Sequence, residues 1–366
     1  MLWGVKMPSW QSQDTTQLSD VQYQDYILQG VSRTFALTIP QMPQALELVT
    51  GNAYLLCRIA DTIEDDVSLS AAQKHQYIDQ FLEVIAGRRS AQDFAQELLP
   101  LLAAECPTAE LDLVKHAARV IRISHSFTAL QQSILLRCVT VMAAGMAHFQ
   151  ALETPFGLAD MPQLDRYCYH VAGVVGEMLT SLFCDYSDEM ALQQPQLMQL
   201  SLHFGQGLQM TNILKDVRED MSRGVNWLPR ELFTRHNINL DDLPAAFEKA
   251  EFSQVIGHLI GVAHHHLRKA LDYTLMIPVH EKGLRRFCLW AIAMAVKTLA
   301  KINEDRHYHD SAATKITRGN LRRIIFLCNI SVHSDGLSKL LFARLARSLP
   351  APEYCQLEVS ALNVVH

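Results

Sequence analysis

The chain has 366 residues, 49% of them hydrophobic and 19% charged, which supplies a sizeable core and excludes a disordered chain. Lys and Arg number 32 against 38 Asp and Glu, a formal net charge of −6 that argues against nucleic acid as a partner. The eight cysteines form no CxxC pair and no Cys/His cluster, so they predict reduced, mostly buried thiols and a cytoplasmic setting.

In chain order, MLWGVKMPSWQSQD lacks the basic-then-apolar pattern of a secretion signal. Residues 1–20 read as an extension, 21–345 as one helical domain and 346–366 as a tail with no membrane anchor. Helical periodicity dominates, and few segments alternate long enough to be strands. Prolines at 40, 43, 100, 107, 155, 162, 195, 229, 278, 350 and 352 sit at plausible breaks between helices. No low-complexity linker or solenoid-length repeat is present, so the expectation is a single all-α domain.

The first informative stretch is SRTFALTI, Ser32 to Ile39. It leads into NAYLLCRIADTIEDD, Asn52 to Asp66, a helix that starts apolar and ends in four acids within six residues. GMAHF follows at Gly145 to Phe149, then YCYHVAGVVGEMLTSLF at Tyr167 to Phe183. On α-helical spacing Tyr167, Val171, Val174 and Met178 share a face, with Val175 close by: an apolar wall with a tyrosine at one end. Ala172, Gly173 and Gly176 add three small residues. Interior glycines cost about 1 kcal/mol each relative to Ala, so either a second helix or a ligand approaches closely there. QMTNILKDVREDMSRGVNWLP, Gln209 to Pro229, carries the second acidic group. His264-His265-His266 has the look of a metal tract, but adjacent helical positions point about 100° apart, and the reading is an ordinary, partly solvated face. The longest apolar run, FCLWAIAMAV from Phe287 to Val296, is too short to span a bilayer and suits a core helix. Membrane contact, where it occurs, is expected to be peripheral.

Like charges collect on both acidic helices. Tyr54, Arg58, Asp61 and Asp65 fall within about 60° of one another, with Glu64 on the flank. Asn212, Asp216 and Asp220 are spaced by four, with Glu219 flanking and Lys215 beside them. Such carboxylates repel by a few tenths of a kcal/mol per pair when exposed, and by more when desolvated. Acids outnumber cations in each stripe, so a divalent cation is the natural counter-charge. Mg²⁺ takes one or two carboxylates, waters and phosphate oxygens, which would hold a diphosphate between the two helices. The alternative is a solvated acidic helix end. Two D-x-x-E-D groups, each on a mostly apolar helix, favour the metal.

These segments, in this order from about Gln29 to about Arg323, resemble the squalene and phytoene synthase family, the head-to-head prenyl synthases. The resemblance implies a helical bundle around a central cavity that binds two farnesyl diphosphates. Asp61, Asp65, Asp216 and Asp220 would face Mg²⁺, with Glu64 and Glu219 less direct. Arg33 and Arg58 would meet phosphate oxygens, where a guanidinium fork fits. A salt bridge from Arg58 to Asp61 or Asp65 is the alternative on spacing. Ser32, Gln209, Asn212, Val171 and Val175 match substrate positions of the family. Lys215 stands where squalene synthases often have Arg, keeping the charge and losing the fork. Tyr167 matches the catalytic tyrosine, with Tyr54 and Phe35 near the reacting carbons.

Squalene formation needs hydride from NADPH, whereas dehydrosqualene and phytoene formation ends in proton loss. No dinucleotide fingerprint decides between them: Gly205-Gln206-Gly207 continues to Met210, so G-x-G-x-x-G fails. RRFCLWAIAMAVKTLAKI and TKITRGNLRR resemble the squalene synthase continuation, where Lys315 and Arg318 would contact the cofactor phosphates. An ordinary basic surface is the alternative. VAGVVGEMLT leans instead toward the bacterial dehydrosqualene synthases. Some relatives of this fold act as non-catalytic assembly factors, and they are expected to have eroded acids. Here both groups are intact, and the expectation is a squalene synthase.

Overall fold

The computed structural model describes residues 13–32, 34–152, 155–309, 314 and 316–353. Arg33, Lys315 and Cys355 lie outside these. Every regular element among them is a helix, and the one β feature is an isolated parallel bridge between Leu158 and Pro229. The helices are α1 (Asp20–Val31), α2 (Phe35–Thr38), α3 (Gln44–Asp65), α4 (Ala71–Ile85), α5 (Ala91–Leu98), α6 (Thr108–Lys115), α7 (Ala117–Ser124), α8 (Ala129–Gln150) and α9 (Met161–Cys168). After a π turn at Tyr169–Gly173 come α10 (Val174–Tyr186), α11 (Asp188–Ala191), α12 (Gln194–Ser222), α13 (Arg230–Arg235) and α14 (Leu243–Phe247). The chain ends in α15 (Ala250–Met276), α16 (Lys282–Glu304), α17 (Arg318–Ser331) and α18 (Asp335–Leu345). The prolines mark helix starts as expected. Pro43, Pro107 and Pro229 precede α3, α6 and α13, and Pro162 and Pro195 sit in the first turns of α9 and α12, where a missing N–H costs nothing.

The chain divides into two compact units, residues 1–147 with 181–186, and residues 148–180 with 187–366. In the first, α3 packs against α1, α4, α6 and α7. A buried polar network locks three of these helices together. Asn52 on α3 donates to Gln24 of α1 (3.2 Å) and to the Val120 carbonyl of α7 (2.9 Å), and accepts from Ser124 (2.6 Å). Satisfied buried polar groups of this kind fix helix register more sharply than apolar contacts do.

In the second unit α12 packs along α15, α16 and the π turn, and α17 and α18 pack on α16. Glycines set the closest crossings. A Cβ on Gly176 would lie 2.5 Å from the Ser201 carbonyl oxygen, and one on Gly205 would lie 2.5 Å from the Ala172 oxygen. The small residues around 172–176 therefore serve helix packing against α12. Arg285 is 2% exposed and donates to the Leu275 and Ile277 carbonyls at the end of α15, and to Asp335 at the start of α18 (2.7 Å).

Three expectations are refined. The histidine run is less solvated than its sequence suggests: His264 and His266 are buried, and His266 meets His203 through their Nδ1 atoms at 2.8 Å. The apolar run at 287–296 is the core face of α16, while among the described residues α8 is the one helix long and apolar enough to cross a membrane by length and composition, with 33% of that stretch buried. The cysteines at 57, 106, 138, 168, 184, 288 and 328 are free thiols, five of them buried.

Candidate active site

In the first unit the acidic group occupies the last turn of α3. Arg58 lies one turn before it and donates to the Tyr54 hydroxyl (3.0 Å), which donates on to the Val31 carbonyl (3.0 Å). Arg58 also approaches Asp61 (3.7 Å) and Glu110 (4.0 Å), and Thr62 donates to Glu110 (3.1 Å). The Phe35 and Tyr54 rings pack 5.3 Å apart. Ser32 shapes the turn that delivers Phe35, its hydroxyl accepting the Phe35 N–H (3.0 Å). Asp61 keeps 27% of its side chain accessible yet is recessed among protein atoms. Burial pushes its carboxyl up to about 7. Arg58 pulls the other way, and Asp65, Glu110 and Glu64 add to the rise. Asp65 is exposed at the helix end and Glu64 is buried. The fourth acid, Asp66, leaves the group: its carboxylate accepts the Ser68 and Ala103 N–H groups (2.8 and 2.7 Å) and closes the turn after α3.

In the second unit the corresponding group ends α12. Val225 and Gly224 donate to the Asp220 and Met221 carbonyls (both 3.0 Å), with Gly224 at φ 78°, a left-handed cap that stops the helix just past the acids. Tyr308 donates to the Leu214 carbonyl (2.7 Å) and steadies the turn before them. Lys215 pairs with Asp216 (3.1 Å) and reaches Asn212 (3.4 Å), and Arg223 pairs with Asp220. Burial raises the carboxyls of both Asp216 and Asp220. Lys215 and Arg223 respectively oppose the rise, and Glu219 strengthens it at each. Asn212 and Glu219 are exposed and Gln209 is half-buried. Both acidic groups thus sit at the negative end of a helix dipole, where a carboxylate is disfavoured even before its neighbours are counted.

Tyr167 lies flat on Trp227, with ring centroids 4.1 Å apart and planes within 9°, and Phe149 meets it edge-on at 5.2 Å. Tyr169 is buried and its hydroxyl donates to Glu177 (3.2 Å). The π turn between them corrects the wall expected from α-helical spacing. Its i→i+5 bonding holds an extra residue, which turns Val174 and Met178 into the core. Tyr167, Val171 and Val175 remain partly exposed.

A family model described as squalene/phytoene synthase matches residues 28–320, most of the chain. The chain belongs to the squalene/phytoene synthase family. Squalene synthase BSS of Botryococcus braunii is 30% identical over 312 residues, 83% of this chain and 63% of that one. Squalene synthase ERG9 of Candida albicans is 29% identical over 307 residues, 82% of this chain and 65% of that one. The chain therefore spans a little under two thirds of the length of these relatives. Among solved structures, a complex of TcSQS with the ligand BPH1237 superposes with a TM-score of 0.70 at 22% identity, over 94% of this chain and 96% of that one. A dehydrosqualene synthase bound to a ligand gives 0.60 at 19% identity, over 84% of this chain and 95% of that one. The fold is that of the squalene and dehydrosqualene synthases.

Within this family framework, the first unit brings together Phe35, Tyr54, Arg58, Asp61 and Asp65, and the second brings together Asn212, Lys215, Asp216, Glu219 and Asp220. Arg318 is exposed in the first turn of α17. Three residues escaped the sequence reading. Glu110 comes from α6, with no local signal. Trp227 and Phe149 stood inside the motifs NWLP and GMAHF, but their pairing with Tyr167 depends on distant chain segments meeting.

Proposed function

We propose that this chain is a squalene synthase. It joins two farnesyl diphosphates head to head through presqualene diphosphate, releasing both diphosphates, and reduces the product to squalene with hydride from NADPH. The observation that carries this reading is the repeated acidic helix end: recessed aspartates, raised toward protonation, at the negative pole of an otherwise apolar helix. The relatives named squalene synthase support it. The catalytic region is assigned to 21–345, acting in the cytoplasm on two prenyl diphosphates and touching membranes peripherally.

The donor set fits Mg²⁺. The carboxylate oxygens are hard, and one or two of them at each helix end leave positions for waters and phosphate oxygens, as Mg²⁺ prefers. When bound, the ion offsets charge on the departing diphosphate. Asp61 and Asp65 at the end of α3, and Asp216 and Asp220 at the end of α12, are the residues that would hold such ions, with Glu64 and Glu219 adding negative potential. Arg58, oriented by Tyr54, and Lys215, oriented by Asn212, meet phosphate oxygens, as does Arg33. The Tyr167–Trp227 pair offers an aromatic face to cationic carbons, and Val171 and Val175 shield them from water. Arg318 in the first turn of α17, and Lys315 by its place in the motif, would hold the NADPH phosphates, and the free N–H groups of a helix start favour an anion.

The test is product analysis from farnesyl diphosphate and Mg²⁺, with and without NADPH. Squalene formed only with NADPH is expected. A dehydrogenated product under both conditions assigns the chain to the non-reducing dehydrosqualene or phytoene synthases, and no diphosphate release at all assigns it to a non-catalytic assembly factor.

A further inference from the structure

Helices α17 and α18 carry a surface that the proposed reaction leaves unused. Phe326 and Ile330 on α17, four residues apart, are 58% and 48% exposed, and Leu337 and Leu340 on α18, three apart, are 42% and 65% exposed. Each pair continues a helical stripe that ends in a cation, Arg323 on α17 and Arg344 on α18. Arg323 and Arg344 line one groove of about 410 Å³, joined by Lys297 of α16 and by Arg347, with Leu327 and Leu341 among its walls. Among the described residues none of these four cations meets a carboxylate. Residues 318–347 hold six Lys and Arg against one acid, Asp335, and that acid is already paired with Arg285, all in a chain of net charge −6.

We propose that the α17–α18 hairpin docks on an anionic lipid bilayer. The four-cation groove takes lipid phosphates at headgroup depth while Phe326, Ile330, Leu337 and Leu340 enter the acyl boundary. Each Lys or Arg near such a surface is drawn to its negative potential, and burial of apolar side chains adds to the attraction. One such signal gives only marginal binding, and the two together give firm attachment. Charge selects this occupant over others. A second copy of the chain would bring like-charged grooves face to face, and nucleic acid would not reward burial of Ile330, Leu337 and Leu340. The inference rests on the hairpin alone and not on the proposed reaction.

The test is co-sedimentation of the full chain with vesicles of phosphatidylcholine alone and of phosphatidylcholine mixed with phosphatidylglycerol. Binding to the anionic vesicles, about tenfold or more over the neutral ones and weakened by salt, is expected. Arg323→Glu with Arg344→Glu should abolish that preference, while Phe326→Ser with Leu340→Ser should lower affinity and keep the salt dependence. Unchanged melting temperatures establish that the variants fold. Equal or absent binding to both vesicles overturns the proposal. So does loss of binding when inorganic phosphate replaces chloride at equal ionic strength, which would mark a free-anion site. A change in the sedimentation coefficient of the vesicle-free protein in these variants would mark a self-association face instead.

Discussion

Asp61 and Asp216 sit in the last turns of α3 and α12, each crowded by further acids. Without metal, neutralising either one removes repulsion and a burial penalty, so Asp61→Asn should raise the melting temperature of the metal-free protein by about 2 °C. Mg²⁺-dependent diphosphate release by the same variant should fall about 100-fold or more, and Asp216→Asn should behave alike. Turnover that survives both substitutions removes the metal assignment. The stripe from Tyr54 to Asp65 was legible because it follows from helical spacing within one segment. The sequence left Arg58 between a salt bridge and a phosphate contact. At 3.7 Å from Asp61, and hydrogen-bonded to Tyr54, Arg58 keeps donors for both. Asp66 stood outside the D-x-x-E-D group in the sequence, but what it does instead depends on the N–H of Ala103, far along the chain.

At the scale of elements, glycine contacts and a histidine pair give two further expectations. Gly205→Ala and Gly176→Ala each place a methyl against backbone with no room to yield, and should cost about 1–3 kcal/mol in denaturant unfolding. A cost near zero would mean that α12 can shift away from the π turn. His203 is held neutral by burial, its pKa lowered to about 4 with His265 and Lys269 adding to the shift, and burial lowers His266 well below its ordinary value. Their Nδ1 atoms share one proton, and a second would set two N–H groups against each other. With folded values depressed, the pair's stability is present above the ordinary histidine pKa of about 6.5. It is lost as pH falls from there toward 4, because the unfolded chain takes up protons that the folded one refuses. Replacing both, as His203→Leu with His266→Phe, should flatten the unfolding midpoint over that range. Helix starts were legible from proline, but the π turn was not. One inserted residue leaves no mark in composition, and it moved Val174 and Met178 from the expected wall into the core.

For the whole molecule, adding Mg²⁺ with inorganic diphosphate should raise the melting temperature in a concentration-dependent way, by the equivalent of about 2.7 kcal/mol at a hundredfold excess over the dissociation constant. Asp61→Asn should blunt that shift, and differential scanning calorimetry reads both. The all-α class was legible from periodicity throughout. The two compact units were not, because their boundaries fall inside α8 and α10, whose helical pattern runs on unbroken past Gly145 and Gly176. The basic hairpin was equally hidden, since one total charge averages over every residue. Its six cations leave the remainder of the chain far more acidic than −6 suggests, so the hairpin is a locally positive patch on a negatively charged chain. Such a patch should hold the protein on a sulfonate resin at a pH above its isoelectric point of about 6.2, and Arg323→Glu with Arg344→Glu should release it at lower salt.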